Sequence, residues 1–195
     1  RVRETFANWR RLIDMGAYVE DHQNYSWQEA LPFVVNGEAT AYLIGNFAVP
    51  HLREAGLGDD QIDFYQFPVI TEGLPMGEDA PTDTFHVAAQ NVEAARAFLA
   101  YVASPEVQTE INGPDALGQL PVNANSEVAD DEFLQQGFTM LSQNAEGGIA
   151  QFFDRDFPAE MAAIGMEGLQ EFMVFPDNLD DILGRLEAAR QRIYE

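Results

Sequence analysis

Apolar residues at Val2, Phe6, Trp9 and Ile13 fall four, three and four positions apart, one face of a helix that Gly16 ends. A polar stretch over 17–25 follows. Ser26 and Glu29 then stand as an S-x-x-E capping box at the head of a second helix running to Gly37. Pro32 lies inside it and predicts a kink or a separate first turn. Short apolar runs at 39–44, 62–67 and 85–89 read as buried strands. A short helix over 49–55 stops at Gly56, and 71–84 is a long loop rich in Gly, Pro and acids. Further on, Asn91 caps a helix with Val92, Ala95, Phe98, Leu99 and Val102 on one face. Ser104 caps another, with Pro105 at its first position. Helical spacing returns over 131–144 through Leu134, Phe138 and Leu141, over 158–175 through Met161, Ile164, Leu169 and Phe172, and after Asn178 through Leu179, Ile182, Leu183, Leu186 and Ile193. The whole predicts a helix-dominated α/β chain with three short strands and no internal repeat.

Composition changes this picture in three ways. The 33 acids stand against 10 bases, all arginine, for a net charge of -23. Such a surface repels nucleic acid and anionic membranes; the dispersed acids read as the solvated exterior of a salt-adapted protein rather than a cation site. Zero cysteines exclude disulfides and thiolate metal sites. No apolar run reaches the length of a membrane span. The chain opens at Arg1 already in a helical pattern, as a processed piece or a fragment would.

The order of elements then carries a resemblance. FANWRRLIDMGAYVED is followed by SWQEALPFVVNGEATAYLIGNF, IDFYQFPVI, APTDTFHVAAQN, EAARAFLAYVASPEVQTEI and LPVNAN. This succession resembles the C-terminal portion of an extracellular, periplasmic sugar-binding protein of an ABC transporter, of the maltose-binding class. The resemblance implies an α/β, helix-rich periplasmic-binding-protein-like (type II) fold, incomplete here. Residues 1–82 and 121–195 would belong to the C-terminal lobe, and 83–120 would cross the hinge and return to the N-terminal lobe. It implies a mono- or oligosaccharide bound in an interlobe cleft and handed to membrane permease subunits. The N-terminal lobe would be supplied by the same gene product. No enzyme activity, cofactor or metal is implied. The location would be the periplasm, or the outer surface of a Gram-positive cell as a lipoprotein.

Sugar sites combine flat aromatic faces with amides and charged groups that bond hydroxyls. Asn46 and Phe47, in the Gly45-Asn46-Phe47 loop, supply both; the resemblance puts an aromatic at this position, commonly tryptophan. Asp83 and Thr84 sit where the acidic loop meets the third expected strand. In the run 151–156, Phe153, Asp154 and Arg155 are the candidates, the resemblance placing a cleft aromatic there. Each has a plainer alternative: Phe47 as a packed helix-start residue, Asp83 as a turn aspartate, Asp154 and Arg155 as a surface ion pair. Asn123 and Asn125 read as turn formers, Trp9 as core and Trp27 as a packing anchor. His22, His51 and His86 share no ligand spacing, and Asp130, Asp131 and Glu132 read as a helix start. The competing readings are a glycoside hydrolase using the Asp83 and Asp154 carboxylates and a purely structural or interaction domain.

Overall fold

In the computed structural model the described residues are 1–80, 83–150 and 152–195. Pro81, Thr82 and Gln151, part of the predicted loop and of the aromatic-acidic run, lie outside them. Among the described residues the α-helices are α1 (Val2–Asp14), α2 (Trp27–Val35), α3 (Val49–Glu54), α4 (Val92–Val102), α5 (Pro105–Ile111), α6 (Glu132–Gln143), α7 (Phe153–Asp156), α8 (Ala159–Val174) and α9 (Leu179–Tyr194). Two short strands, β1 (Glu78–Asp79) and β2 (Ile149–Ala150), pair in parallel. The chain divides into two units, one of residues 1–41 with 151–195, the other of residues 42–150.

The first unit is built on α1, α8 and α9. Its core is Phe6, Phe172 and Ile182, with Trp9, Ile13, Leu169, Leu179, Leu183 and Leu186 packed around them. Phe172 is fully buried, with Phe6 edge-on at 4.8 Å and Trp9 at 5.1 Å between ring centroids. Trp9 is therefore a core residue, as its place on the apolar stripe predicts. Val2, at the head of that stripe, stays exposed. Gly168 admits the Ile182 side chain, whose Cγ2 lies 2.9 Å from where a β-carbon would stand. Arg3–Asp180, Arg10–Asp177 and Arg192–Glu160 pairs tie the elements at the surface. Being exposed, each contributes little.

The capping box at α2 forms as read: the Ser26 hydroxyl accepts from Glu29 N at 3.3 Å, and Glu29 Oε2 accepts from Ser26 N at 2.8 Å. The separate first turn expected before Pro32 does not form, and α2 runs unbroken from Trp27 to Val35. Proline removes one donor, and so short a helix, capped at its head and closed by Gly37 at φ 72°, absorbs that loss.

In the second unit Ala48, Val49, Leu52, Phe133 and Leu134 are buried. Gln108, also buried, braces α5 to the connector after it: its Nε2 donates to Val102 O at 2.9 Å and its Oε1 accepts from Val122 N at 3.2 Å. Asn123 and Asn125 shape that connector, Asn125 N donating to Asn123 Oδ1 at 2.9 Å. Two expectations need correcting. The inward face of α6 carries Phe133 and Leu134, whereas Phe138 is 47% exposed. And 39–44, 62–67 and 85–89 form no strand among the described residues, the last of them ending in a 3₁₀ turn that starts at Ala89. The segment Ile62 to Phe67 nonetheless alternates half-buried Ile62, Phe64 and Gln66 with exposed Asp63, Tyr65 and Phe67, the pleat of a strand. A strand is defined by ladder bonds to a neighbour, and these segments have none among the described residues.

Candidate functional site

The Gly45-Asn46-Phe47 loop is a tight structure. Gly45 is extended at φ -81° and ψ 166°, and Asn46–Ala48 close a 3₁₀ turn, with Ala48 N donating to Gly45 O at 3.1 Å. The half-buried Phe47 ring folds back over Gly45. A β-carbon there would stand 2.6 Å from Phe47 Cε1 and 2.8 Å from Cδ1. Glycine at 45 thus sets the ring's position by leaving it room. Asn46 faces the other way, into its own unit. Its Nδ2 is buried with no hydrogen-bond acceptor among the described residues, and it lies 3.3 Å from the β-carbon position of Gly137 in α6.

Beside Asn46 lies a charged cluster that sequence reasoning did not single out. Arg53 Nε and Nη2 donate to the two carboxylate oxygens of Asp59 at 2.7 and 3.0 Å, and Nη2 also donates to Asp131 Oδ2 at 2.7 Å. The other Asp131 oxygen accepts from Phe133 N and Leu134 N, both at 3.1 Å, and so caps α6. The guanidinium sits 5.2 Å from the centre of the Phe133 ring. The hydrogen bond to Asp59, then the bond and charge of Asp131, hold Arg53 well above the usual arginine range; the same bond lowers Asp59. Asn46, Arg53, Asp131 and Phe133 line a recess with no room for a water-sized molecule. This cluster can therefore fix the loop, not receive a solute. An S/T/D/N-type cap before an apolar run was the available signal for Asp131; for Arg53 there was none.

Asp83 and Thr84 are exposed on the irregular segment 83–88, with Thr84 Oγ1 3.0 Å from His86 Nε2. Phe85 follows, edge-on to Phe98 at 6.2 Å, and both are more than half exposed. Phe153, Asp154 and Arg155 lie on α7. The Phe153 ring occupies the notch left by Gly165 of α8 and sits 4.4 Å from the Phe157 ring. Asp154 is exposed, and the Arg155 guanidinium lies 5.2 Å from the Phe152 ring centre. Asn46, Phe47, Asp83 and Thr84 thus belong to the unit of residues 42–150, and Phe153, Asp154 and Arg155 to the other. Among the described residues no group of three or more His, Cys, Asp or Glu could hold a metal ion, and no helix is long and apolar enough to cross a membrane.

Comparison with curated proteins and with solved structures returned no match. Against protein families, one model matches, that of the bacterial extracellular solute-binding proteins, over residues 2–109. The match includes Asn46, Phe47, Asp83 and Thr84 and covers more than half of the chain. The chain belongs to the bacterial extracellular solute-binding protein family, the solute-binding components of ABC-type transport.

Proposed function

We propose that the solute is a mono- or oligosaccharide, held in the cleft of a two-lobed receptor of the type II, maltose-binding-like class and delivered to a membrane permease. The lobe division is the one drawn above, at 1–82, 83–120 and 121–195, with a further N-terminal lobe in the same gene product. Such a receptor works in the periplasm, or as a surface lipoprotein. The observation that carries this reading is the Gly45-Asn46-Phe47 turn within the family match, which seats an aromatic ring over an unsubstituted glycine. A ring held in advance stacks on a sugar without a further ordering cost. Phe153 is the second stacking candidate; Asp83, Thr84, Asp154 and Arg155 are the candidate partners of the hydroxyls, and Asn46 orients the turn or reaches the sugar directly.

Calorimetric titration of a sugar panel into the full-length receptor tests this. Phe47→Ala and Phe153→Ala should each weaken binding by roughly 1–3 kcal/mol, and Asp154→Asn should weaken it too. Unchanged affinity in both aromatic variants would remove those residues from the site. The receptor should release no reducing sugar from glycosides; release that depends on Asp83 and Asp154 would establish a hydrolase instead.

A further inference from the structure

The unit of residues 1–41 and 151–195 carries a recess of about 370 Å³ lined by Val19, Glu20, Asp21, Tyr25, Phe33 and Glu38. None of these belongs to the candidate solute residues. Two local motifs build it. On one side Asp21 adopts the left-handed conformation, φ 55°, and turns the chain so that Asn24 N bonds Asp21 O at 2.9 Å. On the other, α2 ends in a reciprocal turn: Glu38 N donates to Phe33 O at 2.8 Å and Gly37 N to Val34 O at 3.0 Å. That turn puts Glu38 on the same recess as Phe33, with its Oε1 accepting from Asn36 Nδ2 at 3.3 Å. Tyr25, just before the Ser26 cap, meets Phe33 with ring centroids 5.0 Å apart and planes inclined at 54°, forming an open aromatic corner.

The lining selects by chemistry. Its rim carries three carboxylates and no arginine. Glu20 and Asp21 have no ion pair among the described residues. Anions are therefore repelled. A neutral sugar would meet acceptors plus one phenol, and no amide or guanidinium donor. A bare metal ion is not matched either, because the carboxylates do not converge on one point. What fits two inclined ring faces under a negative rim is a bulky, weakly hydrated cation. The volume lies in the range of small-molecule pockets. We propose that this recess is a second site, separate from solute binding, for a small organic ammonium ion such as a quaternary or methylated amine.

The test uses tetramethylammonium chloride as probe on the intact chain, at constant ionic strength set with sodium chloride. Proton NMR follows the N-methyl signal. Saturable binding is expected, with an upfield ring-current shift and saturation transfer from aromatic protons. The uncharged 3,3-dimethylbutan-1-ol, of like shape, should bind at least about tenfold more weakly. Tyr25→Leu should weaken tetramethylammonium roughly three- to thirtyfold. Glu38→Gln, at an exposed position and with its fold checked by circular dichroism, should weaken it severalfold and decides the matter if the leucine variant does not fold. Absence of saturation, equal binding of the neutral analogue, equal competition by glucose, or unchanged affinity in both variants would each overturn the proposal.

Discussion

Asp131 performs two tasks with two oxygens, and its removal separates them. Asp131→Ala takes away the acceptor shared by the Phe133 and Leu134 amides, a cap worth about 0.5–2 kcal/mol. It also strips one partner from Arg53. The pair is sheltered, with side-chain exposures of 24% for Arg53 and 9% for Asp131, so the loss is felt. Because Asp59 keeps two bonds to the guanidinium, that second loss stays at about 1–2 kcal/mol rather than the full cost of a stranded buried charge. Together the two losses come to about 1.5–4 kcal/mol. Asp131→Asn keeps the cap, since asparagine serves there as well as aspartate, and should recover about half. Urea unfolding gives the totals, and hydrogen exchange at the first turn of α6 locates them. A loss under about 0.5 kcal/mol for the alanine variant, or an asparagine variant as damaged as it, would refute the two-task account.

Phe172→Ala should destabilise the first unit by about 3–5 kcal/mol, read as a lower thermal midpoint, since a fully buried ring between Phe6 and Trp9 leaves a cavity; a change under about 1 kcal/mol would displace it from the core. The backbone N–H and hydroxyl of Ser26 hold the Glu29 carboxyl below its usual range, so its contribution to stability is complete above the unfolded value of 4.5 and fades as pH falls through the lowered folded value. Glu29→Gln should accordingly flatten the acid limb of a stability–pH curve, and a curve superimposable on the parent would deny the effect. With a net charge of -23, the thermal midpoint should rise from low to molar sodium chloride as self-repulsion is screened; a flat or falling curve would show the acids to be locally compensated.

Helices were legible because their ends are written in single residues: Ser26 with Glu29, Asp131 before Phe133, Gly16 and Gly37 at positive φ. Faces were less so. In α6 the run Phe133, Leu134, Phe138 and Leu141 admits two phases, and the choice is made by Arg53, eighty or more positions away, lying over Phe133 and tying the cap to α3. The extended runs were legible as alternation but not as strands, because a ladder needs a second edge that no local pattern announces. At the candidate site the sequence indicated an aromatic beside an amide. It could not reveal that Phe47 turns back over Gly45 while Asn46 turns toward Gly137. Nor could it bring Tyr25, Phe33 and Glu38 together, since that corner depends on how a turn at Asp21 meets the end of α2.

The interleaving of the two units has a consequence for birth on the ribosome. Residues 42–150 emerge as one uninterrupted stretch and can complete their own packing while synthesis continues. The other unit cannot. Phe6 and Trp9 emerge before Phe172 and Ile182 and must wait for them, and the Arg3–Asp180 contact spans 177 positions. During that interval α1 carries an apolar stripe with nothing to cover it, the kind of surface that trigger-type holdases capture. Closing so long a loop is slow compared with forming local helices. A translation pause between residues 150 and 172 would therefore prolong exposure of α1 selectively, while leaving the unit of residues 42–150 already formed.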